Sequence, residues 1–290
     1  MSDATLEPVF DPATPASPQA GRKAPRDWDA IRTVVRKDLT AVRRSKAITI
    51  PMVAVPVILL VVLPIVLGNV AKNVDPGTAL QSPVVQGLVG SISSLPTNEQ
   101  IPVLILGYLL SPLLLVLPLM VSAVLAADAF AGEKERRTLE GLLLLPISDR
   151  DLFLAKLMSA YLPALAITWG GAVVYAVVAN VVGWSATGRL IIPYSQWFVM
   201  MAWVAPAVAA LSLALLTLVS SRAKTTQEAN QLGGAVILPL IFLAAGQVSP
   251  FLLAPVPVVI GLGIVVWAIG LGLIGFASRR FTRDRLASSS

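Results

Sequence analysis

The 290-residue chain has no cysteine and no histidine. Disulfides, thiol nucleophiles and thiolate ligands are therefore excluded. So are Ser-His and Cys-His catalytic pairs and histidine-held metal or haem. Charge is scarce as well: 13% of residues are Asp, Glu, Lys or Arg, against about 25% in ordinary soluble domains. No Gly-x-x-x-x-Gly-Lys-Ser/Thr phosphate loop occurs, so the chain is not expected to bind nucleotide by that motif. What fills the space is apolar, at 56% of residues. A soluble core could not absorb that much apolar surface, so a bilayer is the expected solvent.

The organisation follows the hydropathy. Residues 1–25, rich in Pro, Ala, Ser and Thr without periodicity, read as a disordered tail rather than a signal peptide. Over 26–46, Trp28, Ile31, Val35, Leu39 and Val42 recur at spacings of three and four, and Arg32, Arg36, Lys37, Arg43 and Arg44 fill much of the rest. This is a basic amphipathic helix, read as lying on a membrane surface, with a soluble regulatory helix as the alternative. A transmembrane region over 47–278 follows. Six apolar runs, about 47–68, 102–127, 152–182, 197–219, 232–248 and 256–276, each suit a bilayer-spanning helix. Pro51, Pro56, Pro64, Pro112 and Pro118 are expected to bend the first two. The third run is longer than a span needs, so its first turn is expected to project beyond the membrane. Trp184, Tyr194 and Trp197 are read as interfacial aromatics. Around 246–257 the sequence allows either a plain outer turn or two half-helices. Residues 279–290 form a basic tail.

The cations are placed unevenly. Of the 22 lysines and arginines, 20 lie in alternate segments: the N-terminus, the loop between spans two and three, the loop between spans four and five, and the C-terminus. Lysine and arginine favour the cytoplasmic side. Both termini and the central loop are expected inside a cell membrane crossed several times. The net charge of +6 is thus a topology signal and needs no nucleic acid to explain it.

The central loop is the most informative stretch. Gly132 to Ser148 reads G-E-K-E-R-R-T-L-E-G-L-L-L-L-P-I-S. Charge comes first, then leucine, and Pro146 stops any helix. Ser148 and Asp151 carry the spacing of a capping box for the next helix. Apolar surface on such a loop needs a cover, and a partner protein is one candidate. The run resembles the loop after the second span of type-2 ABC transporter permeases: a charge run, Thr-Leu-Glu, leucines and Pro-aliphatic-Ser/Thr. The resemblance implies an all-α fold of six transmembrane helices. It also implies an N-terminal elbow helix and a cytoplasmic coupling helix between spans two and three, docked on a separate ABC-type ATPase subunit. Glu133, Glu135, Arg136, Arg137, Thr138, Leu139, Glu140, Leu142, Leu143 and Pro146 would form that docking element. ATP and magnesium would belong to the partner and no cofactor to this chain. Two permeases, identical or not, would join two ATPases in an exporter.

The spans themselves, taken between their interfacial ends, carry no Asp, Glu, Lys, Arg or His, which weakens a reading as an ion-coupled secondary transporter without abolishing it. A non-catalytic scaffold or channel module is the other alternative. A rhomboid-like serine protease would also have six spans, but its histidine base is missing here. Asn180, Thr168, Tyr175, Ser212 and Gln247 are candidates to line a path. Hydrogen bonding between helices is the competing role for each.

The charge asymmetry generates a direct test. Cysteines placed singly at Ser148 and Ser82 of this cysteine-free chain should respond oppositely to an impermeant thiol reagent added outside intact cells. Ser82 should label and Ser148 should not; the reverse pattern overturns the orientation.

Overall fold

The computed structural model describes residues 28–75, 77, 92–128, 148–220, 225, 227–228, 231–235 and 255–280. Every regular element among them is helical. Helix α1 (Trp28–Arg44) is followed, after Ser45 alone, by α2 (Lys46–Val57). A wide π turn, Ile58–Val62, leads into α3 (Leu63–Ala71). The next span starts with α4 (Thr97–Pro102), continues as a π turn, Val103–Leu109, and a 3-10 turn, Ser111–Leu115, and ends in α5 (Val116–Ala127). Then come α6 (Asp149–Thr187), α7 (Ser195–Val199) joined through the π turn Met200–Val204 to α8 (Ala205–Ser220), and α9 (Val256–Arg280).

Five of these continuous helical runs are long and apolar enough to cross a membrane: Met52–Ala71, Thr97–Ala127, Asp149–Thr187, Ser195–Val219 and Val256–Arg279. They correspond to expected spans one to four and six. The expected fifth span, 232–248, and the 246–257 junction lie almost wholly outside the described residues, as do the 1–25 tail and, beyond Arg280, the C-terminal tail. Among the described residues the second and fourth spans are the most buried. Helix α8 packs against α5 and α9, while α6 touches α3, α5 and α8. Two apolar clusters stack along the bundle. One gathers Leu106, Leu114, Leu117, Tyr175 and Met200. The other gathers Met52, Val121, Leu125, Leu157 and Leu213. Close approach is bought by small residues: a Cβ on Gly270 of α9 would sit 3.2 Å from the backbone nitrogen of Leu211.

Three of the prolines act in a common way. Proline at a helical position removes one donor and crowds the carbonyl four residues back. In each of three spans the chain widens by one residue just before the proline. Leu63 donates to Ile58 O ahead of Pro64, and Ala205 donates to Met200 O ahead of Pro206. Leu110 donates to Ile105 O, two residues ahead of Pro112. Each shift skips a carbonyl, and in a bilayer core no water can replace the lost partner. At Pro64 and Pro112 the expected bends are therefore local register shifts, whereas Pro51 and Pro56 lie inside α2 and Pro118 inside α5.

Helix α6 supplies the replacements. Its buried face reads Ala164, Thr168, Ala172, Tyr175, Ala179 and Gly183, at spacings of three and four, with donors set among small residues. The Tyr175 hydroxyl donates to the skipped Leu106 O. Trp169 Nε1 donates to the skipped Met201 O at 3.0 Å. Tyr161 Oη donates to Pro206 O at 3.3 Å. Opposite this face, Val173, Val177 and Val181 are exposed, as suits a lipid-facing surface.

At its C-terminal end α6 stops at Gly188, whose φ of 59° is left-handed and whose N–H closes on Trp184 O. The loop then folds back along the helix. Asn180 Oδ1 accepts from Ile191 N at 2.7 Å and Ile192 N at 3.1 Å, and Asn180 Nδ2 donates to Ile192 O at 2.6 Å. Arg189 pairs with Glu99 at 2.8 Å, and Asn98 Nδ2 reaches Ala186 O, tying the starts of the second span and this loop together. This folding back corrects the reading of the aromatics. Trp184 is exposed on α6, but Trp197 is buried and Tyr194 half-buried against the bundle.

A buried carbonyl left without its donor costs about 1–3 kcal/mol. Tyr175→Phe keeps the ring and deletes the donor, so it should lower unfolding stability by about that amount in detergent thermal melts. Ser111 Oγ, 3.4 Å from the same carbonyl, should hold the loss toward the lower end. An unchanged melting temperature removes the hydroxyl from this role.

Candidate functional site

The residues Glu133 to Leu143 and Pro146, expected to form the docking element, lie outside the described residues. The structure resumes at the point where that loop delivers the chain to α6. Ser148 is the N-cap, with extended backbone, and its Oγ accepts from Asp151 N–H at 3.1 Å. The same hydroxyl donates to Asp151 Oδ2 at 2.8 Å. The Ser148–Asp151 spacing thus forms a closed cap at this helix start. Such a cap is worth about 1 kcal/mol, and two carboxylates, Asp149 and Asp151, suit the positive end of the helix dipole.

The first two turns of α6 are held on three sides. Phe153, only 1% exposed, packs with Ala277 and Ile274 of α9 and Leu218 of α8. Ala155 and Met158 receive Ile31, Val34 and Val35 of α1. Beside that apolar contact, Lys156 Nζ lies 3.2 Å from Asp38 Oδ2, and Lys37 Nζ lies 3.1 Å from Asp38 Oδ1. Lys156 is 4% exposed. A cation so buried is tolerated because it is paired.

This placement revises the role of the amphipathic helix. Ile31 and Val35, expected to sit on a membrane surface, instead cover the base of α6. Leu39 is half-buried in the same contact, Trp28 is 62% exposed, and the Val42 side chain lies outside the described residues. The physical reason is proximity: α6 projects far enough for its first turns to offer α1 an apolar partner. The pair that fixes this contact escaped the sequence reading. Asp38 stands seven residues after Ile31 and three after Val35, a carboxylate among the apolar positions. Lys156 is a cation four residues into an apolar run. Each was a signal that a partner was needed, but nothing in the order of residues says which.

The candidates for a path are engaged inside the bundle. Thr168 Oγ1 donates to Ala164 O at 2.7 Å, and Ser212 Oγ donates to Ala209 O at 3.0 Å, both buried. Asn180 holds the folded-back loop and Tyr175 the skipped carbonyl. Gln247 lies outside the described residues. What the structure adds is a tyrosine cluster. Tyr108 and Tyr194 rings stand 5.6 Å apart, and Tyr194 Oη donates to Gly107 O at 3.0 Å. Burial, and to a lesser degree Tyr108, pushes the Tyr194 hydroxyl above its ordinary range, while Ser111 pulls it part of the way back. It therefore stays a protonated donor. The arrangement holds no nucleophile with a base beside it; it is a structural cluster at the broken second span.

The comparisons with known proteins agree with this architecture. The family profile described as ABC-2 family transporter protein matches residues 32–259. No curated protein matches the chain. The match takes in α1 from Arg32, the first four spans, the capped start of α6 and the first residues of α9. The chain belongs to the ABC-2 transporter family and is a multi-pass membrane protein.

Proposed function

We propose that the chain is the transmembrane permease subunit of an ATP-driven exporter, powered by a separate ABC-type ATPase. In this reading two permeases and two ATPases form the working unit, with both termini and the central loop on the cytoplasmic side of the cell membrane. ATP and magnesium act in the ATPase. Leu139, Leu142 and Leu143 share one side of a helix and fill an apolar groove on that partner. Glu133, Glu135, Arg136 and Arg137 sit at the rim and align it, followed by Glu140 and the stop at Pro146.

One observation carries the proposal: α6 begins in a closed cap at the end of the central loop and runs unbroken for 39 residues. At 1.5 Å per residue that is about 58 Å, nearly twice a bilayer core of about 30 Å. A push on the loop is therefore delivered to one continuous helix, in which Pro163 is the place where it can bend. That helix is braced at its base by α1, α8 and α9, and it carries Trp169 and Tyr175 to the widened turns of the fourth and second spans. ATPase closure would move the helix, and the spans it caps would follow. Export, rather than import, rests on the resemblance of the Thr-Leu-Glu and Pro-Ile-Ser run. The nature of the cargo is left open by these residues.

The test is co-purification with the native ATPase partner and ATP turnover in the same preparation. Buried apolar anchors carry about 2 kcal/mol or more each at interface centres. Leu142→Ser together with Leu143→Ser should abolish co-purification and permease-dependent ATP turnover while the spans still insert, and Arg136→Ala should do far less. Wild-type values of both for the double leucine variant would remove the central loop from its role. The brace has its own check. Lys156→Ala leaves Asp38 with Lys37 alone and loosens the hold of α1 on α6, so it should speed trypsin cleavage after Arg36. Adding Asp38→Ala should recover part of that loss. Equal cleavage in all three proteins would rule out the pair as the brace.

A further inference from the structure

We propose that the face of α1 turned away from α6 binds the phosphate headgroup of an anionic phospholipid. Thr33, Arg36, Lys37, Thr40 and Arg44 line an open concavity of about 440 Å3 on that face. At 100° per residue, Thr33, Lys37, Thr40 and Arg44 fall on one stripe with Arg36 at its edge, directly opposite Ile31 and Val35. The two threonine hydroxyls are committed to their own helix: Thr33 donates to Asp29 O and Thr40 to Arg36 O, each at 2.8 Å. Recognition therefore falls to two guanidinium groups and one ammonium, which suit phosphate oxygens. Asp29 falls on the stripe itself, whereas the carboxylate of Asp38 is turned to the other side. It is shared between Lys37 at 3.1 Å and Lys156 at 3.2 Å, so Lys37 is the weaker of the three anchors. Asp29 lies at the far end, one turn before Thr33.

The choice of a lipid follows from position. Ser45 alone separates α1 from α2, which runs on into the first span, Met52–Ala71. Arg44 is therefore within about two helical turns of the hydrocarbon, in the headgroup zone. The apolar face of α1 is spent on Ala155 and Met158, so the surface left to meet the membrane is the basic one. The inference rests on the chain being embedded in a bilayer. It does not rest on ATPase coupling, and failure of the coupling test would leave it standing.

The experiment uses the full-length chain purified in micelles, offered phosphatidylglycerol and phosphatidylcholine of matched chains, with bound lipid counted by native mass spectrometry. Wild type should retain phosphatidylglycerol preferentially. A basic residue near an anionic surface contributes about a fivefold gain, so R36Q with R44Q should lower that retention by about twenty-five-fold. R36K with R44K should keep most of it, and R279Q, exposed on α9 outside the stripe, should change little. Thermal melts should show all variants folded, since Arg36 and Arg44 are exposed. Equal retention of the two lipids by wild type overturns the proposal. So does a loss in R279Q as large as in R36Q with R44Q, which would mean diffuse charge. Displacement of phosphatidylglycerol by millimolar inorganic phosphate would overturn it as well, by making this a site for free anions.

Discussion

A proline in the middle of a membrane span leaves a carbonyl with no donor in a place where water cannot supply one. The bundle is arranged around that shortage. Pro64, Pro112 and Pro206 each follow a widened turn, and the second and fourth spans, which carry the latter two, are the most enclosed of those described. One helix meets the need of both. Helix α6 is otherwise faced with alanine, glycine and threonine, and its Trp169 and Tyr175 reach across to the skipped oxygens. The small residues bring the backbones close enough for short side-chain bonds to span the gap. The aromatic donors then fix which turn meets which.

The same helix joins the membrane region to what lies beyond it. Its first turns are wrapped by Ile31, Val34 and Val35, by Phe153 against α9, and by the Asp38–Lys156 pair. The apolar contacts supply area, and the ion pair supplies register, since only one rotation of α1 brings Asp38 to Lys156. A buried pair is weak evidence of added stability, but removing either partner is expensive. That makes it a good device for holding one arrangement.

Much of this architecture was legible in the order of residues because apolar length and proline position are one-dimensional signals. The five described spans, the helix over 28–44 and the Ser148–Asp151 cap follow from periodicity and capping chemistry alone. The partners of polar side chains are not one-dimensional. Asn180 could serve a path or a loop from sequence alone, and only the folded-back Ile191 and Ile192 decide for the loop. Trp197 and Tyr194 look like interfacial aromatics by composition, yet the return of the 188–194 loop buries the one and half-buries the other. The amphipathic helix shows the same limit. Its two faces were plain, but whether lipid or protein covers the apolar one depends on how far α6 projects.

The order in which the chain is made gives the caps of α6 a place in time. The second span emerges before α6, so the carbonyl of Leu106 waits for a hydroxyl encoded 69 residues later. The fourth span emerges after α6, so Trp169 is already in place when Met201 arrives, 32 residues on. Until α6 inserts, the Leu106 oxygen has only the long contact from Ser111 Oγ within its own span, and afterwards the same helix offers a ready donor to its next neighbour. The third span is thus the step at which an incomplete pair of helices becomes a template for the rest of the bundle.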